Sequence, residues 1–339
     1  METQISESAV ASLLSQAKVE GDFKLHLLNG GANNRIFRVE AGNKQFLLKI
    51  YFQHPNDVRD RLGAEFSFSK FAWDHEIHSL PQPFACNHRN SCALYEFVEG
   101  RPLMPHDVSG ESIQQALHFY HQLNQCKTSA RALPKASEAC FTTGEHLQCV
   151  ERRLHLLKQT DTSLDHEASL FIVNELSQAW SRVSDFVRKR CISMGLPLDR
   201  EIADQDKCIS PSDFGFHNAI LTHTGNLHFI DFEYAGWDDP AKMVCDFFCQ
   251  PAIPVPMDYF DLFSQSIVLT LQDPKIHLER INLLFPVYQI KWCCILLNDF
   301  VPAGSSRRQF ALGSDDQEER KRKQLKKAQQ ALENLTVLR

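Results

Sequence analysis

The sequence predicts a bilobal α+β fold, in which a small antiparallel β-sheet lobe with one inserted helix precedes a larger, mainly helical lobe carrying a β-hairpin. Three observations predict it. The first hundred residues contain short runs of alternating apolar and polar residues, helical periodicity dominates after residue 103, and the strand pattern returns briefly between residues 207 and 231. We therefore predict a first lobe over residues 1–98, a hinge at 99–102 and a helical lobe over 103–339.

Within the first lobe, the pattern predicts an amphipathic helix from Ile5 to Ala17, then a meander of strands, a helix and two more strands. The strands are predicted at 23–28, 36–40, 45–52, 83–87 and 93–98, with the helix at 57–73. Gly30-Gly31 and Gly42-Asn43 separate the first three strands and are typical of tight turns.

The second lobe is predicted to contain long amphipathic helices and one hairpin. The helical segments lie near 111–127, 143–158, 166–193, 258–271 and 276–299. The hairpin pairs Ala219–Leu221 with 227–230 across a turn at 224–226, and the chain after Asp231 runs directly into a helix. The charged final segment has an apolar helical face, which favours a docked helix over a basic patch for a partner.

Composition excludes several classes of protein. The 339 residues carry a net charge of −6, with 43% hydrophobic and 23% charged residues, so a nucleic-acid partner is not expected. Eleven cysteines occur without a CxxC pair, which indicates reduced thiols. The N-terminus lacks the pattern of a signal peptide, and apolar runs fall short of the ~20 residues of a membrane span. We expect a cytoplasmic monomer or homodimer without a membrane partner.

Chemistry-bearing residues lie at both ends of the predicted hairpin, which would bring them together. Asn218 precedes the hairpin and Asp231 follows it, and they supply an amide oxygen and a carboxylate, ligands that Mg²⁺ prefers. Asp213, five residues before Asn218, is placed to orient an acceptor hydroxyl and accept its proton. This combination is typical of phosphoryl transfer.

These segments, PSDFGFHN and IDFEYAGWDDP, resemble the signature of the aminoglycoside phosphotransferase and choline kinase-like family, HxDxxxxN followed by a hairpin and IDF or IDW. The upstream run GGANNRIF resembles the family's phosphate-covering turn, FLLK its lysine-bearing strand and YEFVEG its hinge. The resemblance covers roughly residues 25–250 in the family's order. Each of these five matches is weak by itself, but all five in the order of the family are together strong evidence for the resemblance.

The resemblance implies a protein-kinase-like fold that uses ATP and Mg²⁺. It makes Asp213 the catalytic base and Asn218 and Asp231 the magnesium ligands. It also implies nucleotide contacts from Gly30, Gly31, Asn33, Asn34, Lys49, Glu65, Glu96, Phe97 and Val98. Lys49 would meet the phosphates and Glu65 would hold it, while the backbone of the last three residues would take the adenine edge.

The chain departs from the family pattern at two positions. Pro211 and Ser212 stand where the family has His and Gly before the catalytic Asp, which motivates an alternative, a catalytically degenerate nucleotide-binding or partner-binding protein. A protein kinase is not favoured, because no long activation segment ending in APE follows Asp231. Transfer of the nucleotide itself, with ATP reversed, remains a third alternative.

The acceptor is expected to be a small molecule with a hydroxyl group, such as a sugar, amino sugar, amino alcohol or aminoglycoside-like compound. Candidate acceptor contacts are His217, Tyr234, Trp237 and Asp238. Glu233 is left outside the core site, because a salt-bridging role accounts for it equally well.

Overall fold

The computed structural model describes residues 5–28, 34–53, 57, 59–159, 165–301 and 317–336. They form two compact units. The first comprises the described residues up to Ser137 together with Pro211–Gly236, and the second comprises Glu138–Ser210 with 237–301 and 317–336. The lobe boundary at 99–102 stays a prediction.

The described part of the chain contains α-helices and short strands. The helices are α1 (Glu7–Gln16), α2 (Arg61–Asp74), α3 (Gly110–Gln125), α4 (Thr143–Leu157), α5 (His166–Phe171), α6 (Ser177–Ser193), α7 (Pro240–Cys249), α8 (Phe260–Val268), α9 (Pro274–Leu296) and α10 (Gln317–Glu333). The strands are β1 (Phe23–Leu28), β2 (Arg35–Ala41), β3 (Lys44–Ile50), β4 (Pro83–Asn87), β5 (Cys92–Glu96), β6 (Arg101–Pro102), β7 (Cys208–Ser210), β8 (Ala219–Leu221), β9 (Leu227–Phe229) and β10 (Gly236–Asp238).

The first unit contains the predicted antiparallel sheet, with strand order β1-β2-β3-β5-β4. The bounds of β1 and β4 are those predicted, and the other three strands differ by one or two residues. Gly42 has a φ of +57°, a conformation that favours glycine, in the predicted turn between β2 and β3. Gly30 and Gly31 lie outside the described residues.

One face of this sheet is covered by α1. Val10, Leu13 and Leu14 are fully buried and pack with Leu48 of β3 and Leu94 of β5 in one hydrophobic cluster. The helical spacing of the first three side chains and the strand position of the last two produce this contact. The cluster fixes β3, the strand that carries Lys49.

The second helix begins later than predicted. Asp60 accepts a hydrogen bond from the backbone N–H of Gly63 at 2.8 Å, so it caps the helix and α2 begins at Arg61 rather than at residue 57. Glu65 and Phe68 then share a face of α2, three residues apart, and both are buried.

The predicted hairpin is present and gains a third strand that was not predicted. The order is β6-β8-β9, with Arg101 opposite Leu221 and Pro102 opposite Ile220. A Cβ atom added at Gly100 would lie 2.5 Å from the carbonyl oxygen of Leu221, so glycine permits this close approach. The segment 99–102 is thereby held on the hairpin.

The second unit is helical and is organised around α9. Four helices pack against it along with the C-terminal α10: α4, α6, α7 and α8. The segment Pro274–Phe300 is long and apolar enough to cross a membrane by length and composition, but 72% of its most apolar window is buried inside the protein, as in a core helix. The segment predicted as one helix over 166–193 contains a π-helical turn at Ile172–Leu176.

The C-terminal helix is docked, as its apolar face predicts. Leu325 and Ala328 are buried, and α10 packs on α9. Lys321 of α10 pairs with Asp165 at 2.8 Å.

Buried charges connect α4, α7 and α9 within the second unit. Asp239 accepts hydrogen bonds from His146 Nε2 at 3.2 Å and from Arg280 Nη2 at 2.7 Å. The other ring nitrogen, Nδ1, lies 2.7 Å from the hydroxyl of Tyr288, which donates to it. His146 is thus satisfied as a neutral ring with Nε2 protonated.

This arrangement predicts a loss of stability in mild acid. Burial lowers the pKa of His146 although Asp239 opposes this, so the unfolded chain binds more protons just below its usual pKa of about 6.5. We expect the free energy of unfolding to fall as pH falls from about 7 to about 5, and to fall less in His146→Gln. Denaturant titrations at several pH values check this; an equal fall in both proteins would contradict it.

Candidate active site

Asp213 and Asn218 are held together by the loop that enters the hairpin. The Asn218 side-chain amide donates to the carbonyl oxygen of Asp213 at 3.0 Å, and its backbone N–H donates to the carbonyl of Gly215 at 3.1 Å. His217 Nε2 lies 3.3 Å from Asp213 Oδ1. The carboxylate predicted to be the base is therefore in contact with His217, one of the predicted acceptor contacts.

Two residues of the site have left-handed backbone conformations. Ser212 has a φ of +68° and Asp231 a φ of +67°, which is uncommon for residues other than glycine and costs about 1–3 kcal/mol each. Ser212 stands at the position where the family that the sequence resembles has Gly. The loop before Asp213 thus keeps a glycine-like conformation despite the substitution.

A cluster of phenylalanines anchors both predicted catalytic segments. Phe214 and Phe232, each directly after a site aspartate, have ring centroids 6.0 Å from that of Phe119 in α3, and Phe229 stacks on Phe119 at 4.9 Å. Phe68 of α2 lies 4.7 Å from Phe232. Burial of these rings fixes the backbone from which Asp213 and Asp231 project.

The hairpin brings Asn218 and Asp231 to the same end of the sheet. Its two strands pair from Ala219 opposite Phe229 onward. The backbone N–H of Ile230 donates to the carbonyl of Asn218 at 2.9 Å. Asp231 is therefore one residue beyond a direct partner of Asn218, as the sequence predicts.

Lys49 bridges two carboxylates. Its Nζ donates to Glu65 Oε2 at 2.6 Å and also to Asp231 Oδ1. The side chains of Lys49 and Glu65 are only 5% and 6% exposed, whereas that of Asp231 is 32% exposed. Strand β3, helix α2 and the exit of the hairpin thus meet at one ammonium group, and the carboxylate of Asp231 is the member open to a ligand.

Burial and charge shift the pKa values of this cluster. Burial opposes the charge on Lys49, but Asp231 and Glu65 overcome it and raise the pKa of Lys49 far above its usual value. Burial raises the pKa of Glu65 to about 7, although the attraction of Lys49 acts against this. Lys49 therefore stays protonated, and a cationic ligand at this cluster would bind to the carboxylates.

A second buried group, which sequence reasoning left out, adjoins the first. Glu233 Oε2 accepts from the Asn34 side-chain amide at 2.7 Å, and Glu233 Oε1 lies 3.8 Å from Arg61 Nη1. Glu233 is two residues after Asp231, so spacing alone could have indicated it. Nothing in the sequence indicated Arg61, because its contact with Glu233 depends on how α2 packs.

The predicted adenine-binding segment lies at and after the end of β5. Glu96 is the last residue of the strand, and its backbone N–H donates to the carbonyl of Gln82 at 2.8 Å. That N–H is therefore not the group that would meet a base. Phe97 and Val98 follow outside the strand. Gly30, Gly31 and Asn33 lie outside the described residues.

The remaining candidate acceptor contacts belong to different units. The ring of Tyr234, in the first unit, lies 5.5 Å from the guanidinium groups of both Arg59 and Arg61. Trp237 and Asp238 belong to the second unit. Asp238 is fully buried and its carboxylate accepts from Lys242 at 2.5 Å, so its charge is already matched by a buried partner.

The donor set at the hairpin ends fits a magnesium ion held jointly with phosphate. Asn218 uses its amide nitrogen on Asp213, which leaves its amide oxygen as the end for a cation, and Asp231 offers a second carboxylate oxygen besides the one on Lys49. Among the described residues, no three His, Cys, Asp or Glu side chains cluster as a metal site. The ion would thus depend on two protein ligands and on phosphate oxygens.

Comparison with known proteins gives one family. Residues 24–252 match the model of the phosphotransferase enzyme family. No curated protein sequence matches the chain.

Solved structures of kinases match nearly the whole chain. A choline/ethanolamine kinase family protein from Mesorhizobium loti is 14% identical, with a TM-score of 0.62 over 98% of this chain and 96% of that one. Choline kinase LicA from Streptococcus pneumoniae is 14% identical, with a TM-score of 0.57 over 96% and 98%. Spectinomycin phosphotransferase APH(9)-Ia, solved with ADP and spectinomycin, is 11% identical, with a TM-score of 0.59 over 98% and 99%. At such identities the likeness shows the fold, which is the protein-kinase-like fold predicted above.

Proposed function

Because the chain belongs to the phosphotransferase enzyme family, we propose that it transfers the γ-phosphate of ATP to a hydroxyl group of a small molecule. The observation that supports this most is the bridge from Lys49 to Glu65 and Asp231 within the unit that also carries the Asp213–Asn218 loop. A lysine, its carboxylate partner and a partly exposed second carboxylate are the parts that phosphoryl transfer requires.

In the proposed reaction, Asp213 is the base. Its carboxylate orients the acceptor hydroxyl and takes its proton as the oxygen bonds to the γ-phosphorus, and the bond from that phosphorus to the β–γ bridging oxygen breaks to release ADP. His217, in contact with Asp213 Oδ1, holds the carboxylate in one orientation. Lys49 contacts the α- and β-phosphates, and Glu65 keeps it in place.

Asn218 and Asp231 would hold Mg²⁺. The ion, when bound, supplies positive charge that offsets the charge on the phosphate oxygens. The backbone near Phe97 and Val98 would take the adenine edge, with Asn34 near the phosphates.

For the acceptor we propose chemical classes and not a single compound. The relatives include choline kinases and an enzyme solved with spectinomycin, so sugars, amino sugars, amino alcohols and aminoglycoside-like compounds are the classes to test. His217 and Tyr234, both in the first unit, are the proposed contacts. The proposed setting is the cytoplasm, where the eleven cysteines would stay reduced, with the protein as a monomer or homodimer.

A catalytically degenerate relative is the alternative, and the backbone before Asp213 bears on it. Ser212 holds a left-handed φ of +68°, so the loop conformation does not depend on the family's glycine. This favours an active enzyme.

Incubation of the protein with Mg-ATP and a panel of these compounds tests the proposal. We expect one class to gain a phosphoryl group, measured by mass spectrometry, in proportion to the ADP released. A protein that binds Mg-ATP but phosphorylates nothing in the panel or in a broad metabolite extract would contradict it.

A further inference from the structure

A chain of buried hydroxyl groups lies behind Lys49. The hydroxyl of Tyr51 donates to Glu65 Oε2 at 2.9 Å and lies 2.8 Å from the hydroxyl of Tyr95. Tyr51 and Tyr95 are each 3% exposed. The oxygen of Glu65 that accepts from Tyr51 is the same one that accepts from Lys49.

The hydrogen bonds from Tyr95 through Tyr51 to Glu65 all run in one direction. Each tyrosine hydroxyl has a single proton, and an ionised carboxylate only accepts. When Glu65 is ionised, Tyr51 donates its only proton to Glu65, so Tyr95 is the donor in the bond between the two hydroxyls. The order is Tyr95 to Tyr51 to Glu65, with Lys49 donating to Glu65 from the other side.

Tyr51 also touches the lysine directly. Lys49 Nζ lies 5.2 Å from the centroid of the Tyr51 ring, within the range of a cation–π contact. Residues two apart in an extended segment face the same side, which places the ring beside the ammonium group. Tyr51 thus contacts both members of the Lys49–Glu65 pair.

We propose that Tyr51 is a positioning residue, which holds Glu65 in the one orientation that keeps Lys49 directed at the nucleotide phosphates. Tyr95 fixes Tyr51 and so connects the end of β5, beside the predicted adenine segment, to the phosphate end of the site. The inference rests on the proposed function for what Lys49 binds. The contacts themselves belong to the first unit.

The contrasting explanation is that the two tyrosines serve only the core. Tyr51 and Tyr95 belong to a small hydrophobic cluster with Leu62 and Ala93. Loss of a hydroxyl from such a cluster would lower the stability of the fold without a specific effect on the binding of the nucleotide phosphates. The ligand chosen for the binding experiment separates the two explanations.

The test compares Tyr51→Phe, Tyr95→Phe and Tyr288→Phe by calorimetric titration with Mg-ATP and with adenosine, which has no phosphates. Tyr288 is the matched control, since it is equally buried and hydrogen-bonded to His146 in the second unit. We expect Tyr51→Phe to weaken Mg-ATP binding about tenfold, as for a lost hydrogen bond to a charged group, and Tyr95→Phe to weaken it less. Adenosine affinity should not change, and Tyr288→Phe should bind both ligands like the unaltered protein.

Mg-ATP affinity in Tyr51→Phe within twofold of the unaltered protein would overturn the inference. An equal loss for adenosine and Mg-ATP would also overturn it, because it would indicate packing alone. No acceptor is needed for these measurements. A protein that shows the expected pattern but phosphorylates nothing would therefore support this inference and contradict the proposed function.

Discussion

Asp213→Asn is expected to slow phosphoryl transfer by about 10²–10⁴-fold, the usual contribution of a positioned base. The amide is nearly isosteric with the carboxylate but cannot take the proton from the hydroxyl group of the acceptor. The loop should stay intact, because Asn218 is bound to the backbone carbonyl of Asp213 and not to its side chain. Steady-state kinetics should therefore show a fall in kcat, with Mg-ATP affinity close to that of the unaltered protein.

Asp74→Asn is the matched control for this experiment. Asp74 lies in the same unit, pairs with Lys70 at the exposed end of α2 and has no contact with the site among the described residues. An exposed pair of this kind contributes little to stability. Kinetics of Asp74→Asn should match the unaltered protein. If Asp213→Asn kept more than a tenth of the unaltered kcat, Asp213 would not be the base.

Local features of the fold could be predicted because local sequence determines them. The alternation in 23–28 and 83–87 gave strands with the observed bounds. The turn at Gly42 followed from the need for positive φ. The start of α2 was wrong by four residues, because the cap bond of Asp60, and not periodicity, sets where the helix begins.

Contacts that depend on the packing of distant segments could not be predicted. Lys49 and Glu65 were found through a family pattern, but Tyr95 reaches the same cluster only because β5 pairs with β3. Arg61 reaches Glu233 across 172 positions of the chain for a similar reason. The backbone at Ser212 could not be predicted either: with Pro211, this residue motivated the catalytically degenerate alternative, whereas its backbone has a left-handed φ of +68°.

Lys49→Met is expected to weaken Mg-ATP binding by at least about 100-fold, since it truncates one member of a buried charge pair. It should also lower the free energy of unfolding by about 3–5 kcal/mol, because Glu65 and Asp231 are left without their shared cation. Methionine keeps most of the volume, so packing contributes little to the loss. Calorimetry with Mg-ATP and denaturant titration measure the two effects separately.

The two effects should respond differently to pH and to a second substitution. With Lys49 present the pKa of Glu65 is already raised to about 7, and its removal would raise that pKa further. A carboxylate with a raised folded-state pKa stabilises the fold at low pH and loses this contribution as pH rises through that pKa. Below about pH 7 Glu65 is protonated in both folded proteins, so the stability deficit of Lys49→Met should grow only as pH rises above about 7, where the unaltered protein has lost this proton and the variant still holds it. Adding Glu65→Gln removes the more buried of the two unpaired charges and should restore much of the stability but none of the Mg-ATP affinity. If affinity returned with stability, Lys49 would support the fold and not the phosphates.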